Sequence, residues 1–146
     1  MSFRERLQQL GLRLPELAPT AEFLRVNLLD DLAFVSGHAP FEDGEFRYSG
    51  KIGREFDFSV GRRAAELAVL GCLASLEDSL GSLEGIRQIV KLNGYVNCVA
   101  EFHDLFGDSG RCARTTVGVA GLPQGVAVEI ELIAPLRGNE TIPSAI

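Results

Sequence analysis

The run from Asp57 to Gly81 limits the choice of fold more than any other stretch of this chain. Asp57 or Ser59 can cap a helix N-terminus, and Gly81 can close it after Leu80. Between them Ala65, Val69, Cys72, Leu73, Leu76 and Leu80 recur on one face, while Arg62, Arg63, Glu66 and Glu77 can reach solvent. A helix of this length with a single apolar stripe needs a sheet to lie on, and it covers only one side of that sheet.

The flanking segments supply strands. Arg87 to Ala100 alternates, with Val90, Leu92, Gly94, Val96, Cys98 and Ala100 on one side and Lys91, Asn93, Tyr95 and Asn97 on the other. Glu22 to Leu28 and Leu32 to Ser36 read as a hairpin about an Asp30-Asp31 turn. The aromatic loop holding Phe41, Phe46 and Tyr48, punctuated by Asp43-Gly44 and Ser49-Gly50, has room for one short extra strand. Near the C-terminus, Cys112 to Val119 and Val128 to Ala134 flank Leu122-Pro123-Gln124-Gly125 and read as a second hairpin, with Arg114 opening one strand and Glu129 inside its partner. Ser2 and Glu5 form a capping-box pattern ahead of Phe3, Leu7 and Leu10, which predicts a short N-terminal helix ended by Gly11 and Pro15. The sum is an α+β fold: a mixed β-sheet with helices on one face and a second face in need of a partner. The chain's 146 residues suit one domain, with a helix and linker at 1–20, a core at 21–135 and a tail at 136–146.

Charge and composition exclude several functions. With 20 acidic against 14 basic residues, a net charge of −6 and no Lys/Arg cluster, the chain matches phosphate backbones poorly, so no nucleic-acid partner is expected. No apolar run approaches the roughly 20 residues of a membrane span, and the charged N-terminus lacks an export signal. Cys72, Cys98 and Cys112 are odd in number and lack Cys-x-x-Cys spacing, which fits a reducing cytoplasm without a disulfide framework. His38 and His103 stand in no paired-ligand motif, so neither a metal nor another cofactor is expected. Cys72 falls on the helix's apolar face and is expected in the core.

Two motifs give a family resemblance. Ala113-Arg114-Thr115-Thr116-Val117-Gly118-Val119-Ala120 leading to Leu122-Pro123, then Val128-Glu129-Ile130-Glu131 and Ile133-Ala134, resembles the signature of the RidA family, also called YjgF or endoribonuclease L-PSP. Leu32 to Pro40 resembles its apolar strand followed by S-G-x-x-P. The likeness runs from about Ala18 to Ala134. It implies a chorismate-mutase-like fold and a homotrimer whose sheets line a barrel, with a ligand cleft at each subunit interface.

The residues and the resemblance together nominate a site. Arg114 presents a planar fork suited to a carboxylate; spacing alone also allows it to pair with Glu129 or Glu131 structurally, whereas the resemblance makes it the substrate-carboxylate clamp. Glu129 and Glu131, two apart in a strand, project from one face. By resemblance Glu129 holds the attacking water or leaving nitrogen, and Glu131 is structural. Gly37 can bring backbone close to a ligand, His38 stands where the family often has Gln, and Thr116 lies in the Arg114 motif among the substrate-binding positions. Phe23 occupies the position of a family tyrosine and lacks its hydroxyl.

The resemblance implies hydrolysis of small 2-imino acids to 2-oxo acids and ammonia without a cofactor. A small-carboxylate-binding protein that does no chemistry is the alternative, favoured by Phe23, and an endoribonuclease is disfavoured by charge. Only His103 to Arg111 separate Phe102 from Cys112, which predicts that the family's second helix is missing or reduced to a stub.

Overall fold

Ser2 accepts a hydrogen bond from the Glu5 backbone while Glu5 reaches back to the Ser2 N–H, and this capping box starts helix α1, Phe3–Gln9. In the computed structural model, which describes residues 1–100 and 113–137 (113 and 114 by backbone alone), α1 is followed by strands β1 (Val26–Leu29), β2 (Leu32–His38), β3 (Phe41–Glu42) and β4 (Glu45–Phe46). Helix α2 (Phe58–Leu80) and strands β5 (Lys91–Asn97), β6 (Ala113–Val119) and β7 (Val128–Pro135) follow among the described residues. The connection His103–Arg111, Cys112 and residues 138–146 lie outside the described residues, and the expectation of a lost second helix falls there.

Five strands form one sheet in the order β1-β2-β7-β5-β6. All neighbours are antiparallel except β5 and β6, which run parallel. The expected first hairpin is present: Leu29 pairs with Leu32 about Asp30, whose φ is 52°. Its first strand starts later than expected, at Val26, because the chain is bent at residues 21–23 and again at Arg25. The aromatic loop forms its own two-stranded hairpin, β3–β4, with the Phe41 and Phe46 rings edge to face at 5.2 Å.

The second expected hairpin does not exist. The 122–125 turn is real, with Gln124 at φ 58°, yet β6 and β7 do not pair, since β5 lies between them. Glu129 therefore faces Tyr95 across one ladder, while Arg114 is backbone-paired with Leu92 across the other. A Pro-containing turn reverses the chain whether the strands it joins are neighbours or enclose a third.

Asp57 caps α2 through the Val60 N–H, and Gly81 ends it at φ 76°. Ala64, Ala68 and Cys72 pack with Val35, Val128, Ile130 and Leu132 into the main core. Small residues at the contact let helix and sheet approach closely, and Cys72 Sγ reaches the Ile130 carbonyl at 3.3 Å. Cys72 is a core residue with its thiol pKa pushed up by burial. Leu67 and Leu70 are buried outside that cluster, on a second side of α2 along which β3 and the Leu14–Leu17 linker lie. Phe3 and Leu7 of α1 pack against the core, whereas Leu10, expected on the same stripe, is exposed.

Helix α2 lies over β1, β2 and β7. The other side of the sheet carries Asn27, Phe34, Lys91, Asn93, Tyr95, Thr115 and Glu131, and none of the described residues covers it as α2 covers the first.

Candidate functional site

Strand β2 loses register between Val35 and His38, and this bulge builds the site. A bulge re-aims side chains and opens the ladder locally. At its centre Gly37 lies against Glu129 from β7, and a Cβ placed on Gly37 would stand 2.0 Å from the Glu129 Oε1. Glycine is thus the residue that leaves room for the carboxylate in this position. Glu129 is half-buried, and among the described residues no hydrogen bond or ion pair holds its carboxyl group. Burial first, and the neighbouring Glu131 charge second, push its pKa above the usual carboxylate value.

Glu131, two residues on, is differently placed. Its Oε1 accepts from Asn93 Nδ2 at 2.8 Å and from the Tyr95 hydroxyl at 3.0 Å, and that bond with the Glu131 charge raises the Tyr95 pKa. One glutamate is tied into the sheet surface; the other has no such partner among the described residues.

Glu129 and Gly37 line a cavity of about 590 Å³, closed by the linker from Pro15 to Phe23 and by Phe41, Phe46, Pro123 and Gln124. This volume falls among small-molecule sites, which run from about 300 to 1,000 Å³. Phe23 sits on the rim, 56% exposed, on the bend that precedes β1. His38 also borders the cavity, but both ring nitrogens are engaged: Nδ1 lies 2.7 Å from the Ser36 carbonyl and Nε2 2.6 Å from the buried Ser75 hydroxyl. With Nδ1–H donating to the carbonyl, Nε2 accepts from Ser75. Burial lowers the His38 pKa, and the Arg25 charge adds to that, against the opposing effect of the Ser36 carbonyl.

The structure therefore brings Phe23, Gly37, His38 and Glu129 to one cavity and leaves two nominated residues apart. Arg114 and Thr116 lie on edge strand β6, opposite Leu92 and Gly94, and Thr116 is exposed. From register, Arg114 is three residues along and two strands across from Glu129, about 14 Å between backbones.

Sequence reasoning missed Arg25. It donates from Nη2 to the Ala18 carbonyl at 2.5 Å, and its own carbonyl accepts from the Ser36 N–H at 2.9 Å, which fixes it beside the bulge and in the cavity wall. No motif marks it; only its place two residues after Phe23 and ahead of a strand hinted at a wall position.

Among the described residues, a five-stranded mixed sheet carries one long helix on a single face, and a glycine-seated carboxylate lies in a cleft at a strand bulge, an arrangement of the small α+β class. The family model described as "YjgF/chorismate mutase-like, putative endoribonuclease" matches residues 4–134, and the chain belongs to that family. Among curated relatives, protein TCP17 of Trypanosoma cruzi is 32% identical over 147 residues, covering 90% of this chain and 92% of its own. Among solved structures, Atu1372 of Agrobacterium tumefaciens is 36% identical with a TM-score of 0.81 and 91% coverage of both chains. A Shewanella oneidensis MR-1 structure named as an endoribonuclease reaches 0.85 at 26% identity, covering 93% of this chain and 100% of that one. A Thermotoga maritima structure of the same name, also 26% identical, covers 86% of this chain and 98% of its own, yet reaches only 0.58. At equal identity, this chain superposes better on the Shewanella structure than on the Thermotoga one. Among the described residues, no helix is long and apolar enough to cross a membrane.

Proposed function

We propose that this protein hydrolyses the C=N bond of small 2-imino acids, releasing a 2-oxo acid and ammonia, in a cleft that a second copy of the chain completes. The observation that carries this reading is Glu129: a half-buried carboxyl group with no partner among the described residues, seated against Gly37 in the cavity wall and with its pKa raised. A carboxyl group whose pKa is raised gives up and takes back a proton more evenly than an ordinary carboxylate. The imine enters protonated on nitrogen by solvent, and the Glu129 carboxylate takes a proton from water as the water oxygen bonds to the iminium carbon, giving a neutral carbinolamine. The carboxyl group then gives that proton to the carbinolamine nitrogen; the C–N bond breaks, ammonia leaves, and the hydroxyl proton returns to solvent as C=O forms. The C=N bond is replaced by C=O, one water is consumed, and no electron acceptor is required. Arg114 clamps the substrate carboxylate; its distance from Glu129 within one chain supports its arrival from a neighbouring copy.

The homotrimer implied by the family resemblance is part of the proposal. The uncovered sheet face exposes Phe34 and Val117, and Phe23 and Leu24 are exposed beside the cavity, which gives a second copy apolar surface to bury. Light scattering is expected to give about three times the 15.8 kDa chain mass.

Phe23 favours a second reading, in which the cleft binds a small carboxylate without turnover, because it offers no hydroxyl at the rim. The endoribonuclease names of the relatives receive no support here from the charge of −6. The discriminating experiment generates an imine in situ with an amino-acid oxidase and follows its decay. Decay faster than the spontaneous rate supports hydrolysis, whereas 2-oxo acid binding without acceleration supports the binding module.

A further inference from the structure

The cavity is larger than a three-carbon imino acid requires, and it contains a cation that nothing in the proposed reaction uses. Arg25 is half-buried there, and among the described residues its side chain makes one hydrogen bond, to the Ala18 carbonyl. No carboxylate among the described residues forms an ion pair with it. Glu16, in the same wall, is committed to the Gly44 N–H. In a chain with six more acidic than basic residues, a wall arginine without a carboxylate partner keeps most of its five N–H donors for something that enters.

Its position relative to Glu129 sets the length of that ligand. Arg25 lies across β2 from Glu129, its carbonyl bonded to the Ser36 N–H beside the Gly37–Glu129 contact. Two strand spacings separate the two backbones, about 10 Å, a gap that an arginine side chain and a four- or five-carbon acid cover together. Phe41 and Phe46 supply apolar wall for the carbons between.

We infer that Arg25 binds a second anionic group at the far end of the ligand, so that the preferred substrates are 2-imino dicarboxylic acids, with one carboxylate for Arg114 and the other for Arg25. This rests on the hydrolytic reading for the word substrate, but the selection itself is a binding property and can be tested without turnover.

Titration calorimetry with 2-oxoglutarate and 2-oxopentanoate compares a diacid and a monoacid of equal chain length. The wild-type protein is expected to bind the diacid about tenfold more tightly, the scale of one charge-assisted pair. Arg25→Gln should weaken diacid binding about tenfold more than monoacid binding, and Arg25→Lys, which keeps the charge, should retain part of the preference. Equal wild-type affinities, a preference that survives Arg25→Gln, or failure to bind either acid would overturn the inference. Diacid selection without imine decay would refute the hydrolytic reading alone. Imine decay that is indifferent to the second carboxylate and to Arg25 would refute this inference alone.

Discussion

The two faces of the sheet have been put to different uses. On the helix side Ala33, Val35, Val128, Ile130, Leu132 and Ala134 are at most 4% exposed and form one apolar cluster with α2. On the other, Asn27, Lys91, Asn93, Thr115, Glu129 and Glu131 mix with Phe34 and Tyr95. Side chains that alternate along the same strands thus divide between holding the chain folded and presenting chemistry. Burial alone accounts for the first set. The second contains residues that fold stability does not require, such as a carboxyl group with no partner among the described residues, and these point to ligand and partner.

The sharpest way to break this division is to delete matched side chains from the two faces. Leu132→Ala should cost about 2–5 kcal/mol in denaturant unfolding, as large-to-small changes in a packed core do. Asn27→Ala, exposed on the opposite face, should stay within about 0.5 kcal/mol. Comparable losses at both sites would show that the second face also supports the fold of the single chain.

A second prediction concerns the bulge. Gly37→Ala should push the Glu129 carboxyl group out of its seat, because the added Cβ would meet a flexible side-chain end, not backbone. Misplacement of this size is expected to lower imine turnover about 100-fold while the unfolding midpoint moves little. A large loss of stability with turnover per folded molecule intact would contradict the reading of Gly37 as the seat of Glu129.

The third uses pH, because two groups in one cavity are shifted in opposite directions. The pKa of Glu129 is raised, so the folded state holds its proton more tightly than the unfolded state. Stability from this group is present below the ordinary value of 4.5 and is lost as pH rises through the raised folded value. The pKa of His38 is lowered, so its contribution is present above the ordinary 6.5 and is lost as pH falls through the depressed folded value. Glu129→Gln should flatten the slope just above pH 4.5 and His38→Gln the slope just below 6.5, each by less than the roughly 2–4 °C that 1 kcal/mol produces in a chain of this size. Midpoints between pH 4 and 8 that fail to respond to either substitution would show that these groups do not experience the burial described.

Where the division was legible in the sequence, the signal was local. Asp57 and Gly81 mark the two ends of α2 with backbone chemistry that needs no tertiary context, and Ser2 with Glu5 does the same for α1. The S-G-x-x-P and V-E-I-E motifs pointed to Gly37 and Glu129, which do meet in the fold. Pairing was not local: the turn at 122–125 is real, yet β5, more than twenty residues upstream, separates the strands it joins. Nor was the second buried side of α2 legible, since Leu67 and Leu70 are buried on the side along which β3 and the linker lie, away from the sheet. Arg25 belongs to no motif, and its place emerges only when the linker folds across the cavity.

The central claim is that Glu129 of one copy works with Arg114 of another, and subunit complementation tests it most directly. Arg114→Ala and Glu129→Gln should each be inactive toward imines as pure proteins. Unfolded together and co-assembled, they should regain about a quarter of wild-type activity, because random mixing supplies an intact Arg114 and an intact Glu129 to one cleft in four. Mixed assemblies no more active than the two parents, with co-assembly verified by mass, would contradict a site shared between chains.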